Sequence, residues 1–242
     1  MQDKGNKMTQ YTKEYKDLVQ HILHKGNHQV CRNGENLIIP HYSFTLDHST
    51  GENYQMLLRK YFYKGVKGEF TTLMSDEPLT NVKQFEDNGC NYWKDWAGPK
   101  GQLVLDYYNE MHPAIENVIK QIQKDPGSRR HVISLWNNEH AFDGSLSLHS
   151  CWHNLTFSVI DGYLHLTWTQ RSVDTMIGLP ADIYLSYLFM QRVAGMCGLE
   201  IGSCMYSLSN VHIYNSHIDG ARALLLRTED DYDKSLKFEL KS

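Results

Sequence analysis

Long apolar runs, paired cysteines and a basic surface are all missing from this chain. No segment of its 242 residues approaches the ~18 apolar residues of a membrane span, and the polar start MQDKGNKMTQ has no core for a signal peptide. The five cysteines are odd in number, scattered and without a CxxC pair, which argues against a disulfide framework and a structural zinc cluster. With 24 basic and 28 acidic residues and no basic stripe, binding to a nucleic-acid polymer is not indicated. We therefore expect a soluble, cytoplasmic protein without a membrane or nucleic-acid partner.

Repeats, linkers and low-complexity tracts are also missing, and 41% of the residues are hydrophobic, enough for a substantial core. We therefore expect one domain over residues 1–242. Strand and helix patterns alternate without regular βαβ order, so the predicted class is α+β. Helical patterns cover 9–24, 52–90 (broken at Gly65, Gly68 and Pro78), 113–124, 181–197 and 216–226, and strand patterns cover 37–46, 131–137, 153–160, 163–171 and 201–209. Asp161-Gly162, between two of these strands, is a strong tight-hairpin signal.

Cys151 is the first candidate for chemistry. Strand alternation would place it on one face with His149 and His153. A thiolate is a strong nucleophile whose pKa nearby cations depress, and cysteine with histidine is also a zinc-ligand set. The HxE…PCxxC pattern of zinc nucleobase deaminases is absent, and a cysteine in a strand is often a small core residue. Nucleophile, metal ligand and core residue all remain open for Cys151 taken alone.

The segment QRSVDTMIGLPADIYLSY, residues 170–187, concentrates polar groups between a strand pattern and a helix pattern. Arg171 ends the apolar strand and Ser172 follows it, so both could face an anion. Two pairs of residues elsewhere in the sequence are weaker evidence for a ligand site when each is taken alone. They are Arg129 with Arg130, which could fork onto phosphate oxygens, and His212 with Tyr214, which share a strand face and could donate to sugar hydroxyls.

Taken in order, these segments resemble the thymidylate synthase superfamily over nearly the whole chain. The matching blocks are CRNG (31–34), YWKDWA (92–97), DPGSRRHVISLWN (125–137), SCWHNLTFSVIDGYL (150–164), QRSVDTMIGLPADIYLSY (170–187) and SNVHIYNSH (209–217). The resemblance implies a thymidylate synthase-like fold, with a mixed sheet covered by helices and a sheet face at the interface of a homodimer. It also implies a pyrimidine nucleotide and 5,10-methylenetetrahydrofolate as small-molecule ligands, active sites shared between subunits, and no metal.

The same resemblance implies a role for each matching residue. Cys151 corresponds to the nucleophile that adds to carbon 6 of the pyrimidine, and Glu69 to the catalytic glutamate, by a looser alignment. The remaining correspondences are Arg32, Arg171 and Ser172 as phosphate ligands, Arg129 and Arg130 as the pair donated by the other subunit, His212 and Tyr214 as sugar ligands, and Trp93, Trp96 and Asp174 as folate contacts.

Two departures from the pattern bear on the substrate and the product. The synthases read LPFNI where this chain reads LPADI, so Asp182 replaces an Asn. They also end in a GYxPxPxI-like tail that closes over the folate, whereas this sequence ends in YDKSLKFELKS, and the difference predicts that water reaches the reaction intermediate. Smaller departures are Trp152, where His is usual, and Thr156, where Gln is usual.

Asp182 predicts a cytidylate substrate. An amide complements the donor and acceptor edge of uracil, whereas a carboxylate accepts from both edge positions of a cytosine protonated at ring nitrogen 3. Both departures agree with a deoxycytidylate (dCMP) 5-hydroxymethyltransferase, the branch best known from bacteriophages. The alternatives are a dCMP methyltransferase, a uridylate (dUMP) enzyme with protonated Asp182, a catalytically silent nucleotide-binding relative, and a metal-dependent hydrolase using Cys151 and its flanking histidines.

Overall fold

The structure, a computed structural model, describes residues 8–31, 34–141 and 144–238 and is built around a seven-stranded sheet. The strands are β1 (Asn27–Cys31), β2 (Gly34–Asp47), β3 (Val132–Ser134), β4 (Trp152–Ile160), β5 (Tyr163–Gln170), β6 (Val173–Asp174) and β7 (Glu200–Tyr214). Their order is β1-β2-β7-β5-β4-β3, and the short β6 also pairs with β7. Strand β7 is antiparallel to β2 but parallel to β5 and β6, so the sheet is mixed.

Six α-helices accompany the sheet in the described part of the chain. They are α1 (Gln10–Lys25), α2 (Tyr63–Leu73), α3 (Lys83–Asp87), α4 (Asp106–Lys124), α5 (Gly178–Cys197) and α6 (Ile218–Leu225), and short 3-10 helices cover Tyr92–Trp96, Asn215–His217 and Glu229–Asp231. Alternate strand residues such as Phe157, Trp168 and Tyr206 are fully buried on the helix-covered face, where the Phe189 ring of α5 lies 6.2 Å from that of Trp168. The predicted α+β class and helix-covered mixed sheet are confirmed. Within the described residues, no helix is both long and apolar enough to cross a bilayer.

The tight hairpin between β4 and β5 is confirmed. Asp161 and Gly162 both have positive φ, 50° and 83°, as the turn that matches strand twist requires. The helix predicted before Gly198 also ends there, because this glycine takes the left-handed conformation at φ 67°. Helix α5 begins at Gly178, three residues earlier than predicted.

Several predicted boundaries were wrong. Helix α4 begins at Asp106 rather than Pro113, because buried Tyr107, Tyr108 and Met111 extend its apolar face and the helix tolerates the interior proline. Residues 52–62 are not helical, and the strand predicted over 131–137 is limited to β3. Strand β7 continues through Tyr214 rather than ending at residue 209, because its far end pairs with both β2 and β6.

Candidate active site

The candidate site forms where β5 ends, β4 begins and α5 starts. Since β4 and β5 are antiparallel, the end of β5 brings Arg171 beside Cys151, and the backbone N–H of Arg171 donates to the Cys151 carbonyl at 2.9 Å. Seven residues after Arg171, α5 begins, and its first turns place Asp182 over the same end of the sheet. The fold therefore brings together three residues that the sequence predicted to act jointly.

The Arg171 guanidinium holds the segment that carries Cys151. Its Nε donates to the Ser150 carbonyl at 2.9 Å, and a terminal nitrogen donates to the His149 carbonyl at 3.1 Å. The group also stacks over the Trp136 ring, 5.2 Å from its centroid. Arg171 therefore positions the loop before the nucleophile, a task that the phosphate-ligand prediction did not include.

Cys151 is a half-buried free thiol. Burial first, and then the nearby carboxyls of Asp182 and Asp174, raise its pKa, the Arg171 guanidinium lowers it, and the result is a pKa of about 11. Cys151 is therefore mainly a thiol at neutral pH. Arg171 is the cation that favours its thiolate.

Asp182 is half-buried and bonded to a fully buried amide. Nε2 of Gln170, the last residue of β5, donates to Asp182 Oδ2 at 2.8 Å. Burial, together with the carboxyls of Glu69 and Asp174, raises the pKa of Asp182, the Gln170 hydrogen bond lowers it, and the result is a pKa of about 8. At neutral pH the side chain is therefore largely a neutral acid, which presents one donor and one acceptor.

Glu69 lies buried in α2 at the centre of an aromatic cluster. Its carboxylate accepts hydrogen bonds from the hydroxyls of Tyr92 and Tyr108 and, at 3.2 Å, from the Trp93 indole. Burial raises the pKa of Glu69, and these three donors oppose the rise. Glu69 is thus a held carboxyl with a raised pKa, close enough to Asp182 to raise that pKa too.

Asp174, His212 and Tyr214 gather at the far end of β7. Asp174 pairs with His212 across β6 and β7, and its Oδ1 accepts from the backbone N–H groups of Met176 and Ile177 at 3.0 and 3.2 Å. The His212 ring is buried, donates through Nδ1 to the Asn210 carbonyl at 2.8 Å and contacts the Tyr214 ring at 5.0 Å. Burial raises the pKa of Asp174, and the adjacent His212 lowers it.

The other predicted site residues differ in placement. Trp93 is buried and stacked on Phe85 at 5.2 Å, so its indole serves Glu69, while half-buried Trp96 is the more accessible of the two tryptophans. Ser172 is half-buried next to Arg171, and Thr156 donates to Asn154 at 3.1 Å. Arg129 and Arg130 are exposed on the turn before β3, and Arg32 lies outside the described residues.

The metal-site alternative finds no geometric support. Across residues 8–31, 34–141 and 144–238, His, Cys, Asp and Glu side chains form no group of three or more that could hold a metal ion. His149 instead donates from Nε2 to the His140 carbonyl at 2.9 Å, and its ring and that of His153 both lie against Trp136.

Sequence reasoning missed several residues of this site. Tyr92 and Tyr108 bind Glu69, Tyr107 is buried near Cys151, and Gln170 binds Asp182. The sequence did contain a signal for Gln170, because this polar residue occupies a position in the alternation of β5 where a buried apolar residue is expected. The tyrosines carried none, since aromatic residues are common in any core.

The thymidylate synthase family model matches residues 13–241. The chain belongs to the thymidylate synthase family. The family transfers a one-carbon unit from methylenetetrahydrofolate to carbon 5 of a pyrimidine nucleotide, so the chain is a folate-dependent one-carbon transferase. The clustering of Cys151, Arg171, Glu69 and Asp182 fits that chemistry.

Trp152, next to the nucleophile, points into the core rather than the site. Its ring is buried between those of Trp168 at 5.1 Å, Phe189 at 6.1 Å and Tyr107 at 6.2 Å. We expect Trp152→Ala to lower the free energy of unfolding by about 3–5 kcal/mol in urea titrations. The control Leu226→Ala, at a side chain that is 87% exposed, should change it by less than about 0.5 kcal/mol. A change as small as the control's would show that the tryptophan is not a core residue.

Proposed function

We propose that this protein hydroxymethylates carbon 5 of dCMP, using methylenetetrahydrofolate and water. The observation that carries the proposal is Asp182, a carboxyl held by Gln170 near Cys151 with its pKa raised to about 8. A neutral acid at this position favours a nucleotide substrate whose base edge accepts a proton. The site residues keep the roles that the resemblance implies, and these roles are part of the proposal.

Asp182 matches the hydrogen-bonding edge of cytosine by sharing one proton with ring nitrogen 3. A neutral Asp182 donates its O–H to ring nitrogen 3 of cytosine and accepts from the exocyclic amine with its other oxygen. When the Cys151 thiolate adds to carbon 6, electron density moves to ring nitrogen 3, and the proton of Asp182 can follow it. The contact therefore strengthens as the reaction proceeds, which raises the rate rather than only the affinity.

The thiolate of Cys151 is formed when substrate binds. Burial and two carboxyls hold the pKa of Cys151 at about 11, and Arg171 opposes them. Asp182 is largely neutral at neutral pH, and pairing with the base keeps it neutral while the thiolate forms, so that its carboxyl does not repel the thiolate. Substrate binding therefore lowers the cost of ionising the nucleophile.

Glu69 is the proposed general base for water. Its pKa is raised by burial, and its two tyrosine donors and one indole donor fix the carboxyl in place. Loss of the carbon 5 proton and of tetrahydrofolate leaves an exocyclic methylene on carbon 5, and a carboxylate so held can orient a water molecule and take its proton as the water adds to that methylene. Expulsion of the Cys151 thiolate from carbon 6 then restores the ring double bond and releases the hydroxymethylated product. Deoxycytidylate methylation would use the same Cys151 and Asp182 but add hydride instead of water.

The folate contacts form the second part of the site. Bound methylenetetrahydrofolate supplies the one-carbon unit, with half-buried Trp96 and the carboxyl of Asp174 as its proposed neighbours. An aromatic face and a carboxyl beside backbone donors fit a flat heterocycle with N–H groups.

The proposal includes a homodimer in which the exposed Arg129 and Arg130 of one subunit bind the phosphate of the nucleotide in the other subunit.

The test is product analysis by mass spectrometry. The purified protein is incubated with methylenetetrahydrofolate and either dCMP or dUMP. We expect dCMP to gain a hydroxymethyl group while dUMP is turned over far more slowly. A methylated product would refute the role of water, and turnover of dUMP alone would refute the base assignment. That second outcome has a physical basis, because a neutral Asp182 can also pair with uracil.

A further inference from the structure

Gln170 has a buried side-chain amide with a single hydrogen-bond partner among the described residues. Its side chain has no exposed surface, and Nε2 donates to Asp182 Oδ2 at 2.8 Å. Its Oε1 is buried without a hydrogen-bond partner among the described residues. Within the same ranges, no other hydrogen bond reaches the Asp182 carboxyl. The contact between the two side chains therefore decides how each is oriented.

We propose that Gln170 fixes the proton of Asp182 on Oδ1 and thereby selects the cytosine edge over the uracil edge. The inference rests on the proposed function. An oxygen that accepts from Nε2 is the poorer place for a proton, so the O–H is formed by Oδ1. The amide resists turning over, because that would leave buried N–H donors unpaired, and unpaired buried N–H groups are rarer in proteins than unpaired acceptors.

The two bases need opposite proton positions. With Oδ1 facing ring nitrogen 3 and Oδ2 facing the substituent at carbon 4, cytosine needs the proton on Oδ1, while Oδ2 accepts from the amine. Uracil has a carbonyl at carbon 4 and an N–H at nitrogen 3, so it needs the proton on Oδ2. Gln170 already donates to that oxygen and therefore opposes the uracil arrangement. Gln170 is in this sense a positioning residue for specificity.

Several ionisable groups face Asp182 and set the background for its proton. Glu69 comes from α2, Asp174 from β6 and the Cys151 thiol from the start of β4, and the hydroxyls of Tyr61 and Tyr206 lie close by. The carboxyls favour a protonated Asp182, but none of these groups distinguishes Oδ1 from Oδ2 by a hydrogen bond in the described residues. Gln170 is the neighbour that does.

The test is the ratio of kcat/KM for dCMP to that for dUMP in Gln170→Met, which keeps the length of the side chain but removes the donor. We expect the ratio to fall about tenfold, the effect of one buried hydrogen bond to a titrating group. Gln123→Met is the matched control, because the Gln123 amide bonds the Met196 carbonyl at 2.7 Å on an exposed part of α4. Its ratio should equal that of the wild type.

A second variant, Gln170→Glu, keeps the shape and makes the donor depend on pH. At low pH its protonated carboxyl can donate to Oδ2 and restore the dCMP preference, while at high pH two facing carboxylates abolish it. The preference of Gln170→Met should show no such recovery at low pH.

If the wild type prefers dCMP and both variants keep the wild-type ratio, the proposed role of Gln170 is wrong while the proposed function stands. A rise in the ratio would mean that Oδ2 faces nitrogen 3 and would also overturn it. Wild-type preference for dUMP would overturn this inference and the proposed function together.

Discussion

Cys151→Ala is expected to lower kcat/KM for dCMP by a factor on the order of 10⁴ to 10⁶, as loss of a covalent nucleophile does in other enzymes. The other four thiols lie elsewhere, and the first of them, Cys31, is exposed at the end of β1. Cys90 and Cys204 are buried with their pKa values raised to about 12 by burial, and Cys197 lies at the far end of α5. The measurement is steady-state turnover of dCMP with methylenetetrahydrofolate.

Binding separates a lost nucleophile from a lost fold. The dissociation constant for dCMP, measured by calorimetry, should change by less than about tenfold in Cys151→Ala, because the phosphate and base contacts remain. Cys197→Ala is the matched control, since the Cys197 Sγ donates to the Ile119 carbonyl at 3.7 Å at the far end of α5, and it should keep wild-type turnover. Activity of Cys151→Ala within tenfold of wild type would remove Cys151 from the mechanism.

The pKa of the thiol makes a further demand on the mechanism. A thiol with a pKa of about 11 is almost entirely protonated at neutral pH, so chemistry there needs a partner that favours the thiolate. Arg171 contributes one positive charge, and pairing with the base keeps Asp182 in its neutral form, so that Asp182 adds no negative charge beside the thiolate. The nucleophile is therefore activated by the same contact that selects the base, which couples specificity to rate.

Local signals in the sequence predicted the strand pairing that positions the site residues. The Asp161-Gly162 turn fixes the pairing of β4 with β5, and that pairing alone brings Arg171 to Cys151. Polar residues in β5 and β7 follow a period of two, so the face on which each lies could also be read. The resemblance added the role of Asp182, which no local pattern indicates.

The environment of each carboxyl could not be predicted in the same way. The donors to Glu69 come from a 3-10 helix and from α4, 23 to 39 residues away, and only the packing of α2 against these elements brings them together. The raised pKa of Asp182 depends on the burial of the first turns of α5 and on the nearby Glu69, and both are consequences of tertiary packing. The sequence indicated which groups meet, and the fold decides their protonation.

Asp182→Asn should exchange the base preference, lowering kcat/KM for dCMP by ~10²- to 10⁴-fold and making dUMP the better substrate. An amide can donate to the uracil oxygen that gains charge when Cys151 adds, but it has no proton to transfer to ring nitrogen 3 of cytosine. For an amide at position 182 to match uracil, the Gln170 amide must turn so that its Oε1, which has no other partner among the described residues, accepts from the new N–H. That turn leaves the buried N–H donors of Gln170 unpaired, so its cost reduces the gain for dUMP.

The pH profile of the same variant tests whether the proton of Asp182 is the cause. In the wild type, kcat/KM for dCMP should fall as pH rises through about 8, because the acid form of Asp182 is lost above its pKa. Asp182→Asn should lack this limb, while Cys151 and Glu69 are retained and keep any limb of their own. Asp219→Asn, at an exposed carboxylate of α6 paired with Arg222, is the matched control and should keep both the limb and the dCMP preference. An Asp182→Asn variant that still prefers dCMP, or that keeps the same limb, would show that the base is chosen elsewhere in the site.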